Sequence, residues 1–83
     1  MRPEDILPDH ANHGVFDGVA IRKGTVAAFL ANARTWLDAA TPPSERATAE
    51  ADMRDALPAL RALGLFDVLA PSDARLRAFV DGL

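Results

Sequence analysis

Two histidines and a carboxylate lie close together near the start of the chain, in a pattern that can hold a zinc ion. His10 and His13 are three residues apart, and Asp9 is beside the first of them. Residues three apart share one face of a helix, and imidazole and carboxylate groups are common zinc ligands. Pro8 and Gly14 nevertheless disfavour a helix here, and no third ligand has a matching spacing. We therefore predict no metal site and no cofactor, and interpret these residues as an exposed segment.

A second chemical signal is the run Arg22, Lys23, Gly24 and Thr25, which comes just before an amphipathic segment. Free backbone N–H groups at a helix start, together with two cations, can bind a phosphate or a carboxylate. The run is not a phosphate-binding Walker A loop, because there the lysine follows the glycine. The simpler interpretation, a turn with solvated basic side chains, is the one we favour. A binding site for a small anionic metabolite or phosphate is the alternative.

Acidic residues and serines offer no clear catalytic group. Nothing in the sequence pattern removes the carboxylates from water, so we interpret them as an exposed helix face. Both serines occupy predicted helix starts, and no nucleophile elbow surrounds them. We therefore expect no enzymatic activity. The residues considered are Asp38, Glu50, Asp52, Asp55, Asp67, Ser44 and Ser72.

Length and composition describe one small domain. The chain has 83 residues, 49% hydrophobic and 25% charged, with a net charge of −3. An acidic balance disfavours nucleic-acid binding, and the absence of cysteine excludes disulfides and thiol nucleophiles. No apolar run approaches the roughly 20 residues of a membrane helix, and the first residues lack a signal-peptide pattern. We expect a cytoplasmic protein that binds neither nucleic acid nor membrane.

The element around which the chain is organised is a helix predicted over residues 25–40. Its apolar side chains recur every three or four residues, so they form one face. Thr25 is the predicted cap, Gly24 allows a turn before it, and Pro42 and Pro43 exclude a continuation. The residues of this face are Val26, Phe29, Leu30, Ala33, Leu37 and Ala40, with Trp36 at its flank.

Shorter signals define the remaining elements. Asp17 and Gly18 favour a two-residue hairpin turn, which predicts a β-hairpin over residues 15–22. A second helix is predicted over residues 44–63, beginning at Ser44 and ending at a left-handed Gly64. Pro58 either kinks this helix or divides it into two. After an apolar connector, a last helix is predicted over residues 72–81.

These elements together predict a mostly helical α+β fold: an N-terminal hairpin followed by three helices. Residues 1–13 show no periodicity and contain two prolines, so we predict an irregular arm there. We predict that residues 14–83 form a single small globular domain.

Two motifs resemble those of a family of small uncharacterised bacterial proteins. The first runs from Asp17-Gly18 through Arg22-Lys23-Gly24-Thr25-Val26-Ala27-Ala28 to Leu30 and Asn32. The second comprises Ala56-Leu57-Pro58, Leu60 and Gly64-Leu65-Phe66-Asp67. Together they span about residues 15–69. The resemblance implies a domain that stands alone, and it assigns no activity, cofactor, partner or catalytic residue.

The prediction with the most support is a non-enzymatic interaction or regulatory domain, with a homodimer as one form. A short hairpin has unpaired edges, and the apolar content is large for so few residues. The partner would be another protein or a second copy of this chain. The predicted interface residues are Phe16, Val19, Ile21 and Trp36. A ligand pocket lined by the aromatic side chains is an alternative, although we interpret these side chains as core. Helix–turn–helix DNA binding is disfavoured, because the connector is too apolar and the candidate second helix carries only Arg75 and Arg77 as basic residues.

Overall fold

Two short strands precede the main helices along the chain. The computed structural model describes residues 1–82, and Leu83 lies outside the described residues. The mostly helical α+β class is confirmed, and two short helices are present in addition to the three that the sequence predicted. In chain order the elements are α1 (Pro3–Ile6), β1 (His13–Phe16), β2 (Val19–Arg22), α2 (Thr25–Leu37), α3 (Pro43–Leu63), α4 (Leu65–Val68) and α5 (Ala74–Asp81).

The hairpin forms where the Asp17-Gly18 pair predicts it. Asp17 has φ 49° and Gly18 has φ 77°, which are the two positive values that a tight type I′ turn requires. The antiparallel register pairs Phe16 with Val19 and His13 with Arg22. The ladder therefore begins two residues before the predicted start at residue 15.

Helix α2 begins at Thr25, but Thr25 does not cap it. Gly24 is the N-cap in a left-handed conformation, with φ 90°. The Thr25 hydroxyl instead donates to the Arg22 carbonyl at 2.6 Å. The predicted capping role is therefore wrong. The helix also ends at Leu37, three residues before the predicted end, because the backbone of Asp38 is already extended.

Arginine side chains from α3 and α5 bind the C-terminal end of α2. Arg46 donates to the Asp38 carbonyl at 3.0 Å, and Arg75 donates to the Leu37 carbonyl at 3.3 Å. The last carbonyls of a helix have no partner within the helix, and cations are favoured at this negative end. Both neighbouring helices are thereby attached to the same end of α2.

Pro58 lies inside one continuous helix. Since α3 runs without interruption over Pro43–Leu63, the possibility that Pro58 divides two helices is wrong. Pro58 has no N–H to donate to the carbonyl of Arg54, four residues earlier. The helix begins at Pro43 after an N-cap at Pro42, so the predicted cap at Ser44 is also wrong. Among residues 1–82, no helix combines the length and apolar character that crossing a membrane requires.

Gly64 ends α3 as predicted, and a short helix follows it. Gly64 has φ 80°, and its N–H donates to the carbonyl of Arg61 at 3.0 Å. The apolar connector then forms α4, a single turn closed by the Leu69 N–H donating to the Leu65 carbonyl at 2.9 Å. This turn folds the connector back toward the end of α3.

The hydrophobic core lies mainly between α2 and α3. Met53, Leu57 and Leu60 of α3 are at most 1% exposed. Phe29 of α2 packs edge-on against Phe66, with ring centroids 6.0 Å apart. Ala33 on α2 and Val80 on α5 complete the group of buried side chains.

Helix α5 has a strong local start signal and packs against α2. The carboxylate of Asp73 accepts the N–H groups of Arg75 at 2.8 Å and Leu76 at 3.1 Å. On the packed side, the rings of Trp36 and Phe79 lie 5.3 Å apart. The predicted last helix is confirmed, with Asp73 as its cap.

The first thirteen residues are not irregular throughout. Pro3–Ile6 forms the helical turn α1, and the Arg2 N–H donates to the Asp5 carboxylate at 2.9 Å. His13 already belongs to β1. The prediction of an irregular arm is wrong at these positions, because local hydrogen bonds and strand pairing order them.

Candidate functional site

The Arg22–Thr25 run connects β2 to α2, and the side chains of Lys23 and Thr25 have hydrogen-bond partners within the chain. The Lys23 ammonium donates to the carbonyls of Pro8 at 3.3 Å and Asp9 at 3.0 Å. The Lys23 N–H donates to the carbonyl of Asn12. Lys23 therefore holds the N-terminal segment against the hairpin, and its ammonium group contacts backbone oxygens.

Arg22 shares a groove with acidic side chains. It lines a shallow groove between β2, α2 and α3, to which α3 contributes Asp52 and Asp55. Two carboxylates line this groove against one guanidinium, so its net charge is unfavourable for an anion. The Thr25 hydroxyl donates to the Arg22 carbonyl and the Lys23 ammonium donates to backbone carbonyls, which leaves the Arg22 guanidinium as the side-chain donor of the run that faces the groove. Anion binding at Arg22, Lys23, Gly24 and Thr25 remains a prediction with no further support from this geometry.

The histidines and carboxylates do not form a cluster. His13 pairs with Arg22 in the hairpin, whereas His10 lies in the turn before it. Within the described part of the chain, no group of three His, Asp or Glu side chains is placed to hold a metal ion. Asp52 and Asp55 are exposed on α3, so water solvates both carboxylates.

The most distinctive surface feature is an apolar groove between α2 and α4. It has a volume of about 250 Å³. Among residues 1–82, no charged side chain lines it. Three of its aliphatic side chains are substantially exposed: Val26 at 37%, Leu30 at 52% and Leu69 at 59%. Phe66 and Leu76 are half-buried at its walls.

A second groove lies on the other side of Val26, between α2 and the N-terminal segment. It has a volume of about 420 Å³, and Ile6, Leu7 and Leu63 provide much of its apolar lining. Ile6 is 47% exposed and Leu63 is 38% exposed. Because Val26 lines both grooves, the two adjoin along α2, and the second groove also carries the charged residues Asp9, Arg22 and Lys23. We call the exposed aliphatic side chains of these two grooves the Val26 face: Ile6, Val26, Leu30, Leu63 and Leu69.

The sequence predicts Val26 and Leu30 on the apolar face of α2, and the structure leaves both side chains exposed. On α2 they lie at one flank of the buried residues Phe29 and Ala33. The signal that could have identified them is the width of the apolar arc, which extends beyond what one neighbouring helix covers. The exposed Leu69 belongs to the dense apolar connector that the sequence also identified.

The four residues predicted for an interface have different environments. Ile21 is 5% exposed, so its side chain is covered by the rest of the chain. Trp36 is half-buried against Phe79, and Phe16 and Val19 are half-buried on the hairpin. Contact of a partner with Phe16, Val19 or Trp36 remains a prediction.

Comparison with known proteins assigns neither a family nor a function to the chain. The resemblance to a small bacterial family, based on two motifs, therefore stays a prediction. No protein-family model matches the chain, and neither a curated protein nor a solved structure shows significant similarity to it.

Proposed function

We propose that this chain is a non-enzymatic, cytoplasmic protein-interaction domain, and that the Val26 face binds its partner. The observation that carries the proposal is the exposure of Ile6, Val26, Leu30, Leu63 and Leu69 along two adjoining grooves. Large apolar side chains that form a continuous exposed surface typically mark an interaction site. A regulatory role would follow from the identity of the partner.

The arrangement of polar groups supports binding over catalysis. The basic side chain of Lys23 donates to backbone carbonyls, and the carboxylates of Asp52 and Asp55 are exposed to water. A catalytic site usually excludes bulk water, whereas these carboxylates face it. The exposed wall residues of the apolar groove are instead suited to packing against another apolar surface.

Photo-crosslinking in the source cells tests the proposal. A photoreactive amino acid at position 30 replaces a side chain that projects from the groove wall. The matched control carries the same group at Ala31, which is exposed and lies about 100° further around α2. We expect an adduct with a protein from position 30 and much less from position 31. Equal labelling from both positions, or none from position 30, would refute the proposed docking face.

A further inference from the structure

We infer that the partner on the Val26 face is a second copy of this chain, bound in a two-fold symmetric dimer. This inference rests on the proposed function, because it names the occupant of the same face. In such a dimer the same surface of each copy meets its equivalent, so one self-complementary face is sufficient.

The first argument is the amount of surface that a single copy leaves exposed. The chain exposes 5768 Å². A monomeric protein of 8.9 kDa is expected to expose about 4,800 Å². The excess of about 1,000 Å² is close to the roughly 800 Å² that each partner contributes to an interface of standard size. One copy therefore exposes more surface than a compact monomer of its mass, by an amount that a standard interface would cover.

The elongated shape of the molecule is consistent with this excess of exposed surface. Its radius of gyration is 13.7 Å, and its extents are 38 × 24 × 21 Å. A compact domain of this length is expected to have a radius of gyration of about 12 Å. Side-by-side association of two elongated copies would reduce the surface relative to the volume.

The second argument is where the exposed apolar area lies. Among residues 1–82, eight large apolar side chains are exposed, and five of them form the Val26 face. Only Met53, Leu57 and Leu60 are fully buried within the described residues. The core of one copy is thus small, and burial of the Val26 face would extend it across the interface.

The third argument is charge. The net charge of −3 would oppose close association of two copies through an acidic surface. The described residues that line the α2–α4 groove are uncharged, so two identical α2–α4 grooves meet without placing like charges opposite each other. The adjoining groove contributes charges of both signs, from Asp9, Arg22 and Lys23. Depletion of charge and a high apolar content are also typical of homodimer interfaces.

Sedimentation equilibrium of the full chain across the micromolar range tests the inference. Leu30→Glu places a carboxylate at the face, whereas the control Ala31→Glu places the same charge one residue further along α2. We expect a dimer for the unmodified chain and for Ala31→Glu, and dimerisation weakened about a hundredfold or more for Leu30→Glu. Circular dichroism establishes that each variant is folded. If Leu30→Glu does not fold, Leu69→Glu, at a side chain 59% exposed, provides the same test.

The inference has outcomes that overturn it alone and one that overturns the proposed function with it. A strictly monomeric unmodified chain would exclude the second copy, while a cross-link from position 30 to a different protein would leave the proposed function standing. A dimer that neither Leu30→Glu nor Leu69→Glu weakens would show that the copies associate through another surface. Absence of both the dimer and any cross-link from position 30 would overturn the inference and the proposed function together.

Discussion

Replacing Pro58 with alanine should stabilise the protein, because this proline lies in the interior of α3. A proline inside a helix is about 3 kcal/mol less favourable than alanine, since it lacks the N–H and crowds the preceding turn. Alanine also gives the unfolded chain more freedom, which costs about 0.4–1 kcal/mol. The net expectation is a gain of about 2 kcal/mol. With an unfolding entropy of about 2.1 cal/mol/K per residue, this gain raises the melting temperature by roughly 12 °C for 83 residues.

The sign of the change in melting temperature distinguishes a continuous α3 from a helix that is divided at Pro58. In a divided helix, Pro58 would be the first residue of a new helix, where proline is favourable, and alanine would destabilise. Thermal unfolding followed by far-ultraviolet circular dichroism measures the shift. Pro43→Ala is the matched control, because Pro43 is the first residue of the same helix, and we expect a loss of about 0.4–1 kcal/mol there. A lower melting temperature for Pro58→Ala would refute the continuous helix.

Three further predictions concern the core, a cap and the N-terminal segment. Leu57→Ala should lower the free energy of unfolding by about 2–5 kcal/mol, because it leaves a cavity where the Leu57 side chain is only 1% exposed. Urea unfolding followed by tryptophan fluorescence measures this loss. Asp73→Ala should cost about 1 kcal/mol in the same assay, because two N–H groups of α5 lose their acceptor. Lys23→Ala should release the residues before β1 and accelerate their cleavage in limited proteolysis, because it frees two carbonyls.

Each of these has a control on a neighbouring residue. Ala59→Gly tests whether a substitution in α3 outside the core reproduces the effect of Leu57→Ala, and it should cost only about 1 kcal/mol. Ser72→Ala removes a serine next to the cap and should leave stability unchanged; a loss equal to that of Asp73→Ala would contradict the capping assignment. Arg22→Ala should not change the cleavage pattern. If the N-terminal segment of Lys23→Ala resists proteolysis as well as that of the unmodified chain, contacts other than those of Lys23 hold the segment.

Elements with a local signal could be predicted from the sequence. The hairpin turn at Asp17 and Gly18, the end of α3 at Gly64 and the start of α5 near Asp73 each depend on residues next to one another. Positive φ and a carboxylate cap are properties of those residues themselves. Thr25 and Ser44 were misassigned because a hydroxyl near a helix start is a common cap, yet the chain enters these helices through Gly24 and Pro42.

The candidate site could be predicted only in part, because its environment depends on how the elements pack. The sequence identified Val26, Leu30 and Leu69 as apolar, but not which side of α2 its neighbours would cover. The sequence predicts a solvated Lys23, whereas in the structure its ammonium donates to two carbonyls of the N-terminal segment. Periodicity fixes the direction of a side chain relative to its own helix, whereas exposure is set by the other elements.

The arginine contacts at the end of α2 have a consequence for how the sequence can diverge. Arg46 and Arg75 donate to main-chain oxygens of Asp38 and Leu37, and every amino acid carries such an oxygen. Positions 37 and 38 can therefore change in evolution without losing these acceptors, while the two donors have to be retained. Co-evolving residue pairs would not reveal this junction, because only one member of each pair is under selection.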